Sequence, residues 1–176
     1  MRFLRDILRS VKYKFKFFGK NKDLEYSYLS NGKTNQKLKD LMDFYGSDKG
    51  GKNNHHNYTH FYSQIFYNKK EKIKNFLEIG LGTNNVEVPS NMGKQGKPLA
   101  SLRAWRDYFI NANIYGADID KGILKNEERI KTFFVDQTKP ETIIKMFKDI
   151  GVAKFDVILE DGLHEFNANI CFFENS

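Results

Sequence analysis

The chain has 176 residues, enough for one domain with a substantial core, and its 40% hydrophobic and 15% aromatic content is typical of a folded globule. The formal net charge is +7, but the first 20 residues alone carry seven basic side chains and one acidic. This uneven distribution disfavours a nucleic-acid-binding domain, which spreads its positive charge over the fold. The single cysteine, Cys171, excludes an internal disulfide and fits a reducing, cytoplasmic location. No apolar run reaches the roughly 18 residues that a membrane-spanning helix needs.

Residues 1–35 are predicted to form a basic amphipathic helix followed by a polar linker. Phe3, Ile7, Val11 and Phe15 recur at helical spacing, and lysine and arginine occupy the opposite face. Such a helix can pack on its own domain, on a partner subunit of a homo-oligomer, or on the inner face of an anionic membrane. Packing within the protein is the favoured interpretation, and peripheral membrane contact stays open as an alternative.

Residues 36–176 are predicted to alternate strands and helices. Apolar strands are expected over 76–79, 114–118, 132–136 and 155–160. Helices are expected over 38–45, 102–109, 121–130 and 140–150 and from 166 onward, with Ser101 as the N-cap of the second. This order with short connections predicts an α/β fold: a doubly wound sheet of about four parallel strands with flanking helices.

The first strand ends in two glycines one residue apart, Gly80 and Gly82. This pattern predicts a tight turn that exposes backbone N–H groups to a ligand at the carboxyl edge of the sheet. A dinucleotide fingerprint would have a third glycine where this chain has Asn85. Asp118, at the end of the second strand, suits two ribose hydroxyls, and Asp136 can accept a hydrogen bond from the amine of adenine. The pattern therefore favours S-adenosylmethionine over NAD.

A histidine cluster precedes the first strand. His55, His56 and His60 lie close together in sequence, but no cysteine or carboxylate accompanies them at the spacing of a zinc site. A loop packed over the cofactor crevice is the favoured interpretation.

Taken together, the motifs resemble those of class I S-adenosylmethionine-dependent methyltransferases, and most closely the sugar O-methyltransferases of the macrocin and mycinamicin type. The resemblance covers roughly residues 42–170. The matching segments are Tyr45-Gly46-Ser47-Asp48-Lys49-Gly50, Glu78-Ile79-Gly80-Leu81-Gly82, Gly116-Ala117-Asp118-Ile119-Asp120, Asp136-Gln137 and Glu160-Asp161-Gly162-Leu163-His164.

The resemblance implies a Rossmann-like fold, S-adenosylmethionine as methyl donor, and an acceptor hydroxyl on a saccharide or nucleotide sugar in polysaccharide or glycoconjugate biosynthesis. It implies Asp161 as a ligand of Mg²⁺ and His164 as the general base that takes the hydroxyl proton. The implied cofactor-binding residues are Glu78, Gly80, Gly82, Thr83, Ser101, Asp118, Asp136 and Gln137.

Members of this family complete the sheet with three further strands and supply more acidic metal ligands after the fourth. The chain is therefore expected to be the first half of such a domain, truncated at its carboxyl end. Three other functions stay open: a non-catalytic remnant that at most binds cofactor, an NAD-linked oxidoreductase, and a peripheral membrane protein whose activity lies in its basic N-terminal segment.

Overall fold

The computed structural model of the chain describes residues 36–52 and 56–176. The basic helix and linker predicted over residues 1–35 lie outside these ranges, so they and the domain boundary at residue 35 stay predictions. No helix within the described ranges is long and apolar enough to cross a membrane.

The described residues alternate helices and strands in the predicted order. The elements are α1 (Gln36–Tyr45), α2 (Tyr58–Phe66), β1 (Asn75–Ile79), α3 (Ala100–Tyr108), β2 (Asn113–Asp118), β3 (Ile130–Phe134), α4 (Pro140–Ile150), β4 (Val157–Glu160) and α5 (Phe166–Glu174). Short 3₁₀ turns span Asp48–Gly50 and Lys121–Ile123.

The four strands form one parallel sheet in the order β3-β2-β1-β4. The chain steps outward from β1 to β3 and then returns to the other side of β1. Parallel sheets of this kind bind ligands beyond the carboxyl ends of the strands, where the strand order reverses. Here that point lies between β1 and β4, and the predicted Rossmann-like sheet is confirmed.

Both faces of the sheet are covered, because alternate side chains of each strand point to opposite sides. Phe76 of β1 packs with Trp105 of α3 and with Phe109, the residue after α3, with ring centroids 5.0 Å and 5.3 Å away respectively. The neighbouring residue Leu77 belongs to a second cluster, with Phe172 of α5 on the opposite face. This two-sided burial explains why the strands are nearly continuous apolar runs.

Helix α4 has the bounds predicted from the sequence. Pro140 occupies its first turn, where the missing backbone N–H costs nothing. Gly151 follows its last residue with φ +68°, and the Gly151 N–H donates to the carbonyl of Phe147 at 3.1 Å. A glycine in the left-handed region is a common helix stop.

Three local predictions were wrong. The third strand begins and ends two residues earlier than the predicted 132–136, because the fully buried Ile130 already pairs with Ile114 of β2. Ser101 is not the N-cap of α3, because the helix begins at Ala100 and Leu99 precedes it with φ +64°. The Leu99 N–H donates to the carbonyl of Leu81 at 2.9 Å, which fixes the chain against the end of β1 and starts the helix early. The helix expected over 121–130 is only a 3₁₀ turn, since Asp120 caps it by accepting from the N–H of Gly122.

Gly80 allows the ends of β1 and β4 to approach each other. Its φ is +87°, and a Cβ built on it would lie 2.2 Å from the carbonyl oxygen of Asp161. A side chain here would displace the backbone of the segment after β4, not the end of a flexible side chain. The glycine is therefore required by chain packing.

We predict that Gly80→Ala lowers the free energy of unfolding by about 3 kcal/mol, because left-handed strain of about 1–2 kcal/mol adds to an overpacking cost of similar size. Gly93→Ala is the matched control, since Gly93 also has positive φ but its Cβ would meet nothing within 4 Å. Urea denaturation of the two variants measures the difference, and equal losses would contradict the packing argument.

Candidate functional site

A cavity of about 290 Å³ opens at the carboxyl edge of the sheet, beyond the ends of all four strands. Its volume is close to the lower end of the range for small-molecule sites, about 300–1,000 Å³. Eight of the predicted site residues line it: Gly80, Gly82, Thr83, Asp118, Asp136, Gln137, Asp161 and His164.

The long loop after β1 forms one wall of the cavity, through Val88, Pro89, Ser90 and Met92. The Met92 N–H donates to the carbonyl of Thr83 at 2.8 Å, and the Ser90 hydroxyl donates to the carbonyl of Leu163 at 3.0 Å. His56 and Tyr58 also line the cavity, with parallel rings 4.9 Å apart. The structure thus places His56 at the crevice, where the sequence predicted a covering loop, while His55 lies outside the described residues.

Asp118 links the end of β2 to the glycine turn. Its two carboxylate oxygens accept the backbone N–H of Leu81 at 2.7 Å and that of Asp120 at 2.9 Å. Burial raises the pKa of Asp118, despite these two hydrogen bonds. A carboxylate has about four acceptor positions, so two remain for ligand hydroxyls.

Asp136 and Gln137 follow β3. One carboxylate oxygen of Asp136 accepts hydrogen bonds from the backbone N–H and the hydroxyl of Thr138. The other oxygen lies 2.9 Å from Nζ of Lys139. Burial acts to raise the pKa of Asp136, but these donors outweigh burial and hold it below its usual value. Gln137 donates to Glu160 at 2.8 Å and accepts from the Leu163 N–H at 2.8 Å, so it fixes the turn after β4.

Asp161 and His164 form a pair on that turn. The Nε2 atom of His164 lies 3.1 Å from Oδ1 of Asp161. His164 has φ +59°, a left-handed conformation that is unusual for a residue with a side chain. Its side chain is 60% exposed, so the imidazole faces the solvent side of the cavity. Strained residues of this kind concentrate at functional sites.

Lys49 is the functional candidate that the sequence analysis missed. Its Nζ lies 2.5 Å from Oδ2 of Asp161, 3.6 Å from Oε1 of Glu78 and 3.7 Å from Oδ1 of Asp48. Burial acts to lower the pKa of Lys49, but the three carboxylates outweigh burial and hold it above its usual value. The only sequence signal was its place in a motif shared with the family, because nothing in the local pattern identifies its distant partners.

Glu78 and Ser101 are not among the residues that line the cavity, and their contact with the cofactor stays a prediction. Glu78 is fully buried, and Ser101 donates its hydroxyl to Glu78 Oε2 at 2.7 Å. Burial raises the pKa of Glu78 to about 7, against the opposing effects of the Lys49 ammonium and the Ser101 hydroxyl. Their position assigns them to the support of Lys49 and the glycine turn.

The described residues do not by themselves complete a magnesium site, and Asp161 as a ligand of Mg²⁺ stays a prediction. Among residues 36–52 and 56–176, no three His, Cys, Asp or Glu side chains are grouped closely enough to hold a metal ion together. Magnesium requires near-octahedral oxygen coordination. The predicted ligand Asp161 instead has one oxygen on Lys49 and the other on His164.

We predict that Glu78→Gln removes a pH dependence of stability. The Glu78 pKa is higher in the folded state, near 7, than its ordinary value of 4.5, so the folded state retains a proton that the unfolded state has lost. Stability is therefore greatest below pH 4.5 and falls as pH rises toward 7, by roughly 3 kcal/mol in total.

Urea denaturation of the wild type and the variant at intervals from about pH 4.5 to 8 measures this dependence. The free energy of unfolding of the variant minus that of the wild type should increase with pH up to about 7. A constant difference would mean that Glu78 stays ionised throughout.

No protein-family model matches the chain. Among curated proteins, it is 32% identical over 120 residues to an 8-demethyl-8-alpha-L-rhamnosyl tetracenomycin-C 2'-O-methyltransferase of Streptomyces olivaceus, a match that covers 68% of this chain and 28% of that protein. It is 31% identical over 109 residues to the demethylmacrocin O-methyltransferase of Streptomyces fradiae, covering 62% of this chain and 25% of the relative. The chain thus spans about a quarter of the length of these relatives.

Solved structures give a consistent result. A MycE methyltransferase of the mycinamycin biosynthetic pathway, in complex with Mg and SAH, is 27% identical with a TM-score of 0.63, over 82% of this chain and 36% of that one. A second MycE structure, which also contains mycinamycin VI, matches with a TM-score of 0.61 over 78% of this chain and 34% of that one. The resemblance inferred from the motifs is therefore confirmed: the relatives of this chain are sugar O-methyltransferases, and its described residues have their Rossmann-like fold.

Proposed function

We propose that this chain binds S-adenosylmethionine and acts in the methylation of a sugar hydroxyl, on a saccharide or nucleotide sugar in polysaccharide or glycoconjugate biosynthesis. One observation carries the proposal. The glycine turn after β1, the acids after β2 and β3 and the Asp161–His164 pair after β4 line a single cavity. The similarity to a rhamnosyl tetracenomycin-C 2'-O-methyltransferase and to a demethylmacrocin O-methyltransferase supports the same reaction class.

The cavity residues fit the proposed cofactor. Asp118 would accept hydrogen bonds from the two ribose hydroxyls, and Asp136 and Gln137, which line the same cavity, would lie beside the adenine. Asp48 and Asp161 give the opposite end a negative character that suits the sulfonium and the α-ammonium group. Gly80, Gly82 and Thr83 would hold the methionine end. When bound, S-adenosylmethionine would supply a methyl group: the bond from the methyl carbon to sulfur breaks as the hydroxyl oxygen attacks that carbon, and S-adenosylhomocysteine leaves.

His164 is the proposed general base. The Lys49 ammonium contacts the Asp161 carboxylate, which therefore accepts a hydrogen bond from His164. In the neutral imidazole, Nε2 would then carry the hydrogen, and Nδ1 would have the lone pair. Nδ1 would take the proton of the sugar hydroxyl. Asp161 would hold the ring in place and stabilise the imidazolium that forms. No step passes through a metal ion.

The proposed location and assembly follow the sequence analysis. A cytoplasmic location, a homo-oligomer and contact of the basic N-terminal helix with a membrane surface stay predictions. The described residues carry no observation on them.

We predict that calorimetry detects binding of S-adenosylmethionine and of S-adenosylhomocysteine, and that Asp118→Asn weakens both by about tenfold or more, because a charge-assisted hydrogen bond contributes roughly 1.5–3 kcal/mol. Asp156→Asn is the matched control. Asp156 also accepts two backbone N–H groups, those of Lys74 and Asn75, but at the amino end of the sheet. Binding of NAD in place of the adenosyl compounds would favour the oxidoreductase alternative and refute the proposal.

We predict that His164→Asn lowers transfer of a labelled methyl group to a sugar acceptor by roughly 10²- to 10⁴-fold, the usual contribution of a general base. Asparagine tolerates the left-handed backbone, so the affinity for S-adenosylmethionine should be unchanged. His60→Asn serves as control, since the hydrogen bond of its ring is to Gln64 on the exposed side of α2. Cofactor binding without any transfer by the wild type would instead indicate the non-catalytic remnant.

A further inference from the structure

Lys49 is a buried cation that the proposed reaction does not itself use. Its side chain is only 6% exposed, and its Nζ atom is in closest contact with Oδ2 of Asp161. Removing an ammonium group from water is costly unless partners compensate it. The carboxylates of Asp161, Glu78 and Asp48 provide that compensation. The arrangement therefore fixes the position of Lys49 and of its nearest partner at the same time.

The Asp161 carboxylate connects Lys49 to His164. One oxygen lies on the ammonium at 2.5 Å and the other lies on Nε2 of the imidazole at 3.1 Å. Exposure rises along this line, from 6% for the Lys49 side chain to 21% for Asp161 and 60% for His164. The exposed imidazole is thus held through a carboxylate whose own orientation is set by a buried group.

The backbone around Lys49 is itself fixed. The Lys49 N–H donates to the hydroxyl of Ser47 at 3.3 Å, and the Ser47 N–H donates to the carbonyl of Met42 in α1 at 2.9 Å. A Cβ on Gly50 would overlap the carboxylate of Asp43, so the turn packs closely against α1. Lys49 therefore reaches Asp161 from a turn that hydrogen bonds and close packing hold against α1.

We propose that Lys49 is a positioning residue for the base: its ammonium holds the Asp161 carboxylate in the orientation that fixes the His164 imidazole. The effect of Lys49 on catalysis rests on the proposed function, but the contacts of Asp161 with Lys49 and His164 can be measured in the free protein.

The test compares Lys49→Met and Lys49→Arg with the wild type by NMR of the His164 side chain. Three-bond couplings report whether χ1 occupies one rotamer, and nuclear Overhauser contacts report whether the ring lies beside the Asp161 β protons. We expect one rotamer and the contact in the wild type and in Lys49→Arg, and rotamer averaging with loss of the contact in Lys49→Met. A folded Lys49→Met that keeps the wild-type ring geometry would overturn the proposal.

Lys145→Met is the matched control, because it removes another lysine–aspartate contact, to Asp149 at 2.6 Å, on the exposed face of α4. If Lys49→Met fails to fold, Lys49→Met combined with Glu78→Gln removes a buried opposite charge together with the ammonium and allows the same measurement. The double variant should show the same averaging of His164, and a fixed ring in it would overturn the proposal.

Methyl transfer separates positioning from direct binding. We expect Lys49→Met to lower kcat by about 10- to 100-fold, with calorimetric affinity for S-adenosylmethionine within about threefold of wild type, because a displaced catalytic group costs rate more than binding. Loss of affinity with an undisturbed His164 ring would make Lys49 a cofactor ligand and overturn the proposal. If the wild type binds no cofactor, the proposed function fails, while the NMR comparison still decides the role of Lys49.

Discussion

The contact between the Lys49 ammonium and the Asp161 carboxylate is the interaction on which the rest of the site depends. It joins the turn after α1 to the end of β4, at the point where the strand order of the sheet reverses. Glu78, near the end of β1, has one carboxylate oxygen near the same ammonium, and its other oxygen accepts a hydrogen bond from the hydroxyl of Ser101 in α3. Removing one of these buried charged groups leaves its partner charge without compensation, which lowers the free energy of unfolding by several kcal/mol. The four segments are therefore stabilised as one unit.

The two glycines after β1 form the predicted tight turn, but the structure gives a different physical reason for their lack of side chains. Gly80 and Gly82 were interpreted as positions cleared of side chains for a ligand. In the structure, a Cβ on Gly80 would overlap the backbone at Asp161, and one on Gly82 would lie 2.6 Å from the Sδ atom of Met92. Both glycines thus allow other parts of the protein to approach the turn. The cavity forms because β4 and the loop after β1 come close to this turn.

The sequence predicted the structural features that depend on neighbouring residues, and it did not predict contacts between residues that are distant in sequence. The carboxyl ends of β1, β2 and β4 and the limits of α4 follow from apolar runs, a proline and a glycine, all local signals. The start of α3 was wrong because the bond from Leu99 to Leu81 outweighs the capping preference of Ser101. Lys49 was missed for the same reason. A lysine between polar and glycine residues is expected in solvent, and only the folded sheet brings Asp161 and Glu78 to it.

The distribution of charge in the cavity also bears on which ligands it admits. The single positive charge of Lys49 compensates one negative charge among the carboxylates of Glu78, Asp161 and Asp48. Because the pKa of Glu78 is about 7, this carboxyl group is partly neutral at physiological pH. The ammonium is thus not available to a ligand anion, and Asp118 adds further negative character beside the glycine turn. A pyrophosphate at this position would face carboxylates where a dinucleotide fold offers free N–H groups. A cationic sulfonium compound meets the opposite condition, so the carboxylates around the glycine turn disfavour the dinucleotide alternative.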